Sequence, residues 1–440
     1  MTGPEVTATA IPGLLVVHLP VHADNRGWFK ENWQRTKMVD AGLPDFGPVQ
    51  HNIAFNTSAG TTRGIHAEPW DKLVSVATGR VFAAWVDLRA GESFGATFSI
   101  ELDASTAVFI PRGVANGYQT LEDGTAYSYL VNAHWTPDGE YANVNLADET
   151  VNVPWPLPLI EISDKDRGHP RLAEVVPVPT RRALILGADG QLGRALREVL
   201  PDALALSRSQ LDLTDPTTYD RVPWDDIDTI INAAAFTAVD AAETPEGRQQ
   251  AWAVNVTAVA ALARIAIQRR LTLVTISSDY VFDGTRPEHT IDEPLSPLGV
   301  YGQTKAAGEA VTSTVQKHYI VRTSWVVGDG GNFVATMQRL AQGGVRPQVV
   351  DDQFGRLTTA AELAEGIVGL LASGAPYGIH HLTGGGEPRS WAAIAREVFA
   401  AEGRDPADVV GVSTESYGAD KHLAPRPRHS TLAPRDQPPA

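Results

Sequence analysis

The 440-residue chain is longer than one hydrophobic core serves, so its length predicts two or three domains. At 43% hydrophobic and 20% charged it has a globular composition, and a formal charge of -16 without any Lys/Arg run excludes a nucleic-acid-binding class. Zero cysteines exclude disulfides, thiol catalysis and thiolate metal sites, and the early LLVVHLP run is too short for a signal peptide or a membrane span. A cytoplasmic enzyme or binding protein without a membrane partner is expected.

Over residues 1 to about 165, turn signals recur at short intervals: Ala23-Asp24-Asn25, Ser58-Ala59-Gly60, Thr78-Gly79, Arg89-Ala90-Gly91 and Glu122-Asp123-Gly124. Between them lie β-prone runs such as LLVVHL, KLVSVAT, RVFAAWVDL and TAYSYLVN. That rhythm predicts an antiparallel β-sandwich or barrel. Prolines 154, 156, 158, 170, 177 and 179 then mark a joint, dividing the chain into 1–175 and 181–440.

Beyond the joint, RALILG predicts a buried strand, QLGRALREVL a helix, ALALS a second strand and DTIINAAA a third. An apolar-periodic helix over 250–269 leads to a fourth strand, LTLVTIS. Strands alternating with helices predict a Rossmann-type doubly wound parallel sheet. No internal repeat joins the two halves, which points to a fusion of unrelated modules.

The first of these strands runs straight into Gly187-Ala188-Asp189-Gly190-Gln191-Leu192-Gly193 and then a helix. Glycines there let the backbone turn and approach a pyrophosphate seated on the helix N-terminus; a purely structural turn is the alternative. After the second strand stands Arg208, where an acidic residue would hold a ribose hydroxyl. An arginine suits a 2′-phosphate, which favours NADPH over NADH; Asp212 could also approach the adenine end. An exposed loop arginine is the bland alternative.

The fourth strand ends at Ser277-Ser278-Asp279, and Tyr301 and Lys305 follow, four residues apart. That spacing puts phenol and ammonium on one helical face, one turn apart, where a strand-end hydroxyl can meet them. A carbonyl oxygen held by Ser278 and Tyr301 would take the phenol's proton, with the Lys305 cation expected to lower the phenol's pKa.

INAAAFTAVDAAE, ISSDYVFDG, YGQTKAAGE, RTSWVVG, GGNFV, VVDDQFGR and RPRHSTL, in that order over roughly 182–432, resemble dTDP-4-dehydrorhamnose reductase, an extended short-chain dehydrogenase/reductase. The resemblance implies hydride transfer from a nicotinamide to the sugar's C4 ketone. Tyr301 is then the acid, Lys305 its tuner and ribose anchor, and Ser278 the carbonyl donor, where the family usually has Thr. It further implies that Ala233 and Ala234 line the cofactor, that Thr237, Val239 and Asp240 lie near cofactor and substrate, and that Trp325 and Asn332 face the sugar nucleotide.

Earlier in the chain, DNRGWFKE (24–31), QHN (50–52), TRGIH (62–66), IPRG (110–113) and ISDKD (162–166) resemble dTDP-4-dehydrorhamnose 3,5-epimerase, a cupin-type jelly roll, over about 10–168. The chemistry implied is proton removal at C3 and C5, each α to the C4 ketone. His66 fits the base oriented by Asp166, Lys72 the enolate stabiliser and Tyr129 the acid. Arg26, Arg63, Gln50 and Asn52 would hold the diphosphate and nucleotide. The chain departs from the family in three places: a short AEPWD segment between His66 and Lys72, Asn116 in place of His, and Ala83 in place of Asp.

Together the resemblances imply a bifunctional enzyme that epimerises dTDP-4-dehydro-6-deoxyglucose and reduces it with NADPH or NADH to dTDP-L-rhamnose. The alternatives are a single-position epimerase with a reductase for another deoxysugar nucleotide, and a reductase carrying an inactive cupin that binds or dimerises. No metal is implied. The partner is a small nucleotide sugar, with homodimer formation expected through the cupin.

Overall fold

The structure, a computed structural model, describes residues 3–135 and 141–433. It divides into two compact units, Met1–Thr180 and Arg181–Ala440.

The first unit opens with β1 (Glu5–Ala8), β2 (Leu15–His18), the hairpin β3 (Val21–Asp24) and β4 (Gly27–Lys30), and helix α1 (Arg35–Asp40). Strands β5 (Gln50–Asn56), β6 (Thr62–Ala67), β7 (Lys72–Thr78), β8 (Val81–Asp87) and β9 (Thr97–Leu102) follow. After them come β10 (Thr106–Ile110), β11 (Val114–Thr120), β12 (Thr125–Val131), the short β13 (Ala142–Asn143) and helix α2 (Asp164–Arg167). They form two antiparallel sheets, ordered β1-β2-β10-β7-β12-β5 and β13-β6-β11-β8-β9. Val16, Val74, Val108 and Tyr127 of the first sheet pack against Val81, Trp85, Leu102 and Tyr118 of the second. The antiparallel sandwich expected from the turn spacing is the fold observed, in keeping with the jelly roll that the resemblance implies.

Central strands in this unit do not alternate apolar and polar, because both faces of each sheet are covered. Leu73 and Phe109 lie under Met38, Leu43 and Phe46 on one side. On the other, Val86 and Ala115 lie under Val144, Leu146 and Leu172. Strand β5 is an edge and does alternate, leaving Ile53 and Phe55 each 63% exposed.

In the second unit a parallel sheet is ordered β15 (Leu204–Leu206), β14 (Arg182–Leu186), β16 (Ile227–Asn232), β17 (Thr272–Ser278), β18 (His318–Thr323) and then Gly378–His381. Helices α3 (Gln191–Val199), α4 (Pro245–Trp252), α5 (Ala258–Arg269), α6 (Val300–Thr312), α7 (Phe333–Gln342), α8 (Ala360–Ala372) and α9 (Trp391–Ala401) complete it. Leu192, Leu196, Leu363 and Ile367 cover one face of the sheet; Ala258, Leu262, Ala263 and Ala266 cover the other. That is the doubly wound arrangement the sequence predicts. Its order reverses between β14 and β16, so a crevice opens outside their carboxyl ends.

The helix expected over 250–269 begins earlier, at Pro245, and passes through a π-helical turn at Ala253–Thr257 before α5. Thr244 caps it and Pro245 occupies its first turn, a start signal present in the sequence.

Candidate active sites

In the second unit the glycine loop sits at the switch point. Gly187 has φ +78, and a Cβ there would stand 2.8 Å from the Ala234 nitrogen, so the β14 and β16 loops touch only because this residue lacks a side chain. Between them lies a cleft of about 290 Å³. It is lined by Gly187, Asp189 and Gly190 from the first loop, Arg208, Asp212 and Thr214 from the second, and Ala233, Ala234 and Phe236 from the third. Gln191, Leu192 and Gly193 form the first turn of α3 beside it.

Arg208 is 84% exposed, with its Nε 3.6 Å from an Asp212 carboxylate oxygen, an ion pair loose enough to open. The unsatisfied N–H groups at the start of α3, the glycine cradle and a guanidinium at the far end form a donor set that fits a phosphorylated dinucleotide.

At the end of β17, Ser278 meets Tyr301 of α6 by a side-chain hydrogen bond and donates 2.8 Å to the buried Asp279. The fold thus brings Ser278 and Tyr301 together. Desolvation pushes the Tyr301 phenol up to about 12, Asp279 adds to the rise, and the Ser278 hydrogen bond opposes it. Here the sequence expectation is corrected: Lys305 does not lower the phenol's pKa in this arrangement. Its Nζ is turned to the Ile276 carbonyl at 2.5 Å, and burial lowers its own pKa to about 8, with Glu309 working the other way.

Three residues with no assigned role in the sequence reading position this helix. Asn255, on the π-helical turn, accepts from the Phe236 amide at 2.9 Å and donates 3.0 Å to Thr304, tying the third-strand loop to α6. Glu243 accepts from the Val300 amide at 2.7 Å and so caps α6 from outside. Arg426 pairs with Asp240 at 2.9 Å and also reaches Tyr280, whose ring lies 5.6 Å edge-on to Tyr301. Glu243 and Arg426 fall inside motifs visible in the sequence; Asn255 carried no signal beyond a polar residue in an apolar helix.

Of the expected substrate-side residues, Thr237 and Val239 lie on the loop after Phe236, with Thr237 exposed. Asp240 is engaged by Arg426 and the Ala424 amide. Trp325, at φ +47, stacks on Trp391 with centroids 3.6 Å apart. Asn332 spends its side chain on the cap of α7, accepting from Ala335 and donating to Gly328. These contacts give Asp240 and Asn332 scaffold duties.

The first unit's site lies between its sheets. His66 on β6 holds Asp166 through Nε2 at 2.8 Å, and Ser163 caps the short helix that carries Asp166. Burial alone would raise the Asp166 pKa, but the His66 hydrogen bond and charge and the Gly64 amide bring it below the ordinary value. His169, unforeseen in the sequence, stacks edge-on to His66 at 5.1 Å, and burial lowers its pKa. Ligand atoms of His66, Asp166 and His169 lie within 4.8 Å of one another, a set of metal-binding residue types among the described residues.

Directly opposite His66 on β11 stands Asn116, which accepts from Lys72 Nζ at 3.3 Å and donates to the Tyr127 hydroxyl at 3.2 Å. Lys72 is buried and ion-paired with Glu68. Tyr129 on β12 is half-buried; desolvation, then the Glu68 charge, raise its pKa against Arg63. Ala83 is buried in the core between the sheets. Gln50 bonds Asn52 at 3.0 Å, and Arg63 bonds Asn56 at 3.0 Å. Among the described residues, Arg26 pairs with Asp24 in its own turn, 84% exposed, and with none of the groups around His66.

Residues 181–437 match the family model described as RmlD substrate binding domain, and residues 8–174 match that of dTDP-4-dehydrorhamnose 3,5-epimerase. The chain is 49% identical over 176 residues to the protein RmlC homolog of Streptococcus pyogenes serotype M6, covering 38% of this chain and 89% of that protein. It is 41% identical over 270 residues to dTDP-4-dehydrorhamnose reductase of Mycobacterium tuberculosis, covering 58% of this chain and 86% of that protein. A solved structure, dTDP-4-dehydrorhamnose reductase from Bacillus anthracis in complex with NADP, matches with TM-score 0.54 and 35% identity over 58% of this chain and 91% of its own.

Proposed function

The chain belongs to the dTDP-4-dehydrorhamnose 3,5-epimerase family in its first unit and to the RmlD reductase family in its second, and from that premise we propose that it is a bifunctional enzyme of dTDP-rhamnose biosynthesis. The first unit epimerises dTDP-4-dehydro-6-deoxyglucose and the second reduces the C4 ketone of the product. The observation that carries this assignment is the pairing itself: the family matched by the first unit and the reductase relative matched by the second are named for the same dTDP-4-dehydro sugar, and one chain holds both.

In the epimerase step His66 takes the proton α to the ketone, and Asp166 steadies the imidazolium that forms. The Lys72 ammonium faces the developing enolate oxygen, and Tyr129 returns a proton from the other side. Support comes from the 2.8 Å His66–Asp166 bond and from a Tyr129 phenol whose raised pKa keeps its proton. Arg63, Gln50, Asn52 and Arg26 are assigned to the nucleotide end.

In the reductase step Tyr301 gives its proton to the C4 oxygen, with Ser278, its hydroxyl turned from Asp279 to the substrate, as the second donor to that oxygen. A phenol near 12 is fully protonated at neutral pH, as a general acid must be. NADPH supplies the hydride; the loop 187–193, Ala233 and Ala234 would hold its dinucleotide, Lys305 its ribose and Arg208 its 2′-phosphate. Trp325 and Thr237 are assigned to the sugar side. The reading extends to a cytoplasmic setting and a homodimer through the first unit, for which the exposed Ile53 and Phe55 on edge strand β5 are the support.

The test is dTDP-4-dehydro-6-deoxyglucose in D₂O without cofactor, with deuterium read at each carbon by NMR, followed by NADPH addition. Exchange at C3 and C5 and then dTDP-L-rhamnose are the expected results. Exchange at one carbon selects a single-position epimerase, and exchange at neither leaves only the reductase.

A further inference from the structure

Between β6 and β7 the chain crosses from one sheet to the other in four residues, Glu68 to Asp71. The crossing is pinned. Trp70 is buried and meets Tyr141 edge-on at 5.8 Å. Asp71 exchanges hydrogen bonds with Asn132 at 2.9 Å and accepts from the Arg112 amide at 2.8 Å. A crossing held at its far end leaves little freedom at its near end, where the Glu68 side chain points inward and is 16% exposed.

The Lys72 side chain is 5% exposed and ion-paired with Glu68. An ammonium so buried is tolerated only when its charge is matched. It carries three N–H donors. Asn116 accepts from one of them at 3.3 Å, and Glu68 is ion-paired with the same ammonium; no other acceptor for it is found among the described residues. Asn116 is itself fixed, donating to Tyr127, whose ring stacks on Tyr118 with centroids 4.0 Å apart. The ammonium is therefore placed between Glu68 and Asn116 with donor capacity left over, on a strand that pairs with that of Tyr129 and beside an Asn116 that lies opposite His66.

Resting on the epimerase assignment, we propose that Glu68 is a positioning residue of that site, a buried carboxylate that holds the Lys72 ammonium so that its remaining N–H meets the enolate oxygen. A pair serving stability alone has no need of an unfilled donor next to the base. The same carboxylate has a second effect, since its charge helps keep the Tyr129 phenol protonated.

The experiment compares Glu68→Gln, Glu68→Asp, Lys72→Gln and the double variant Glu68→Gln/Lys72→Gln in the full chain. Deuterium exchange into dTDP-4-dehydro-6-deoxyglucose gives kcat and KM. NADPH oxidation with pre-epimerised substrate reports an intact second unit, and a thermal melt reports folding. Glu68→Gln should lower kcat for exchange about 10²-fold, the effect of a misplaced reacting group, with KM nearly unchanged. Glu68→Asp should recover part of the loss. Because Glu68 acts through Lys72, the double variant should lose no more than Lys72→Gln alone. The double variant carries no unmatched buried charge, so it remains informative if Glu68→Gln fails to fold. Wild-type exchange in Glu68→Gln, additive losses in the double variant, or losses that follow the melting temperature in both Glu68 variants would overturn the proposal. No exchange in the wild-type protein would remove the epimerase assignment itself, and this proposal with it.

Discussion

The two units assemble their proposed sites on different kinds of scaffold. In the second, Ser278, Tyr301 and Lys305 come from one strand end and the next helix. In the first, His66, Lys72, Asn116 and Tyr129 come from four strands in two sheets, and Asp166 arrives from 100 residues away. Their lysines differ in the same sense. Lys72 is matched by a carboxylate four residues earlier, on the crossing between strands, whereas Lys305 rests on a backbone carbonyl and burial brings it to about 8. A compact motif can leave its lysine only lightly compensated because the cofactor and substrate complete the site. A site assembled across two sheets has to fix each charge within the protein.

The sharpest way to break this comparison is to disable one unit at a time. Tyr301→Phe should cut NADPH oxidation about 10²–10⁴-fold, the range for a lost general acid, and leave exchange at C3 and C5 unchanged. His66→Ala should do the reverse, losing exchange at both carbons together while pre-epimerised substrate is still reduced. Near-native reduction by Tyr301→Phe would sink the assignment of the acid.

Lys305→Ala should lower reduction about 10²-fold by misplacing the cofactor and also raise the cofactor's KM, since its ammonium is assigned to the ribose. A change in turnover alone would remove the ribose role. The pH profile sharpens the contrast further. Burial lowers the Lys305 pKa to about 8, so its charged form is complete below that value and lost above it. Reduction should therefore decline as pH rises through about 8, measured as kcat/KM for NADPH. A flat profile up to pH 10 would mean that the ammonium is not required.

Arg208→Glu is the smallest of these effects. A carboxylate facing a 2′-phosphate, on an exposed loop, should move the NADPH-to-NADH ratio of kcat/KM toward NADH by about tenfold, or about 1.4 kcal/mol. An unchanged ratio would show that Arg208 points to solvent.

The sequence alone determined the local facts. Periodicity and turn spacing gave an antiparallel first half and a parallel second half. Gly187 to Gly193 and the Tyr301–Lys305 spacing could be recognised because each works through a backbone turn or one helical turn, interactions that span a few residues. Thr244-Pro245 belonged to the same class and marked the true start of its helix. The tertiary structure decided the rest. Glu68 beside Lys72, His169 beside His66, Asn255 between Phe236 and Thr304, and Arg426 against Asp240 are ordinary polar residues whose neighbours are set by sheet order and crossing geometry. Tyr301 shows the same limit for electrostatics: spacing placed a cation one turn away, but burial and Asp279 raise the phenol's pKa, and the lysine is turned to the Ile276 carbonyl. Charge energies depend on distance and dielectric in three dimensions, and a linear chain specifies neither until it has folded.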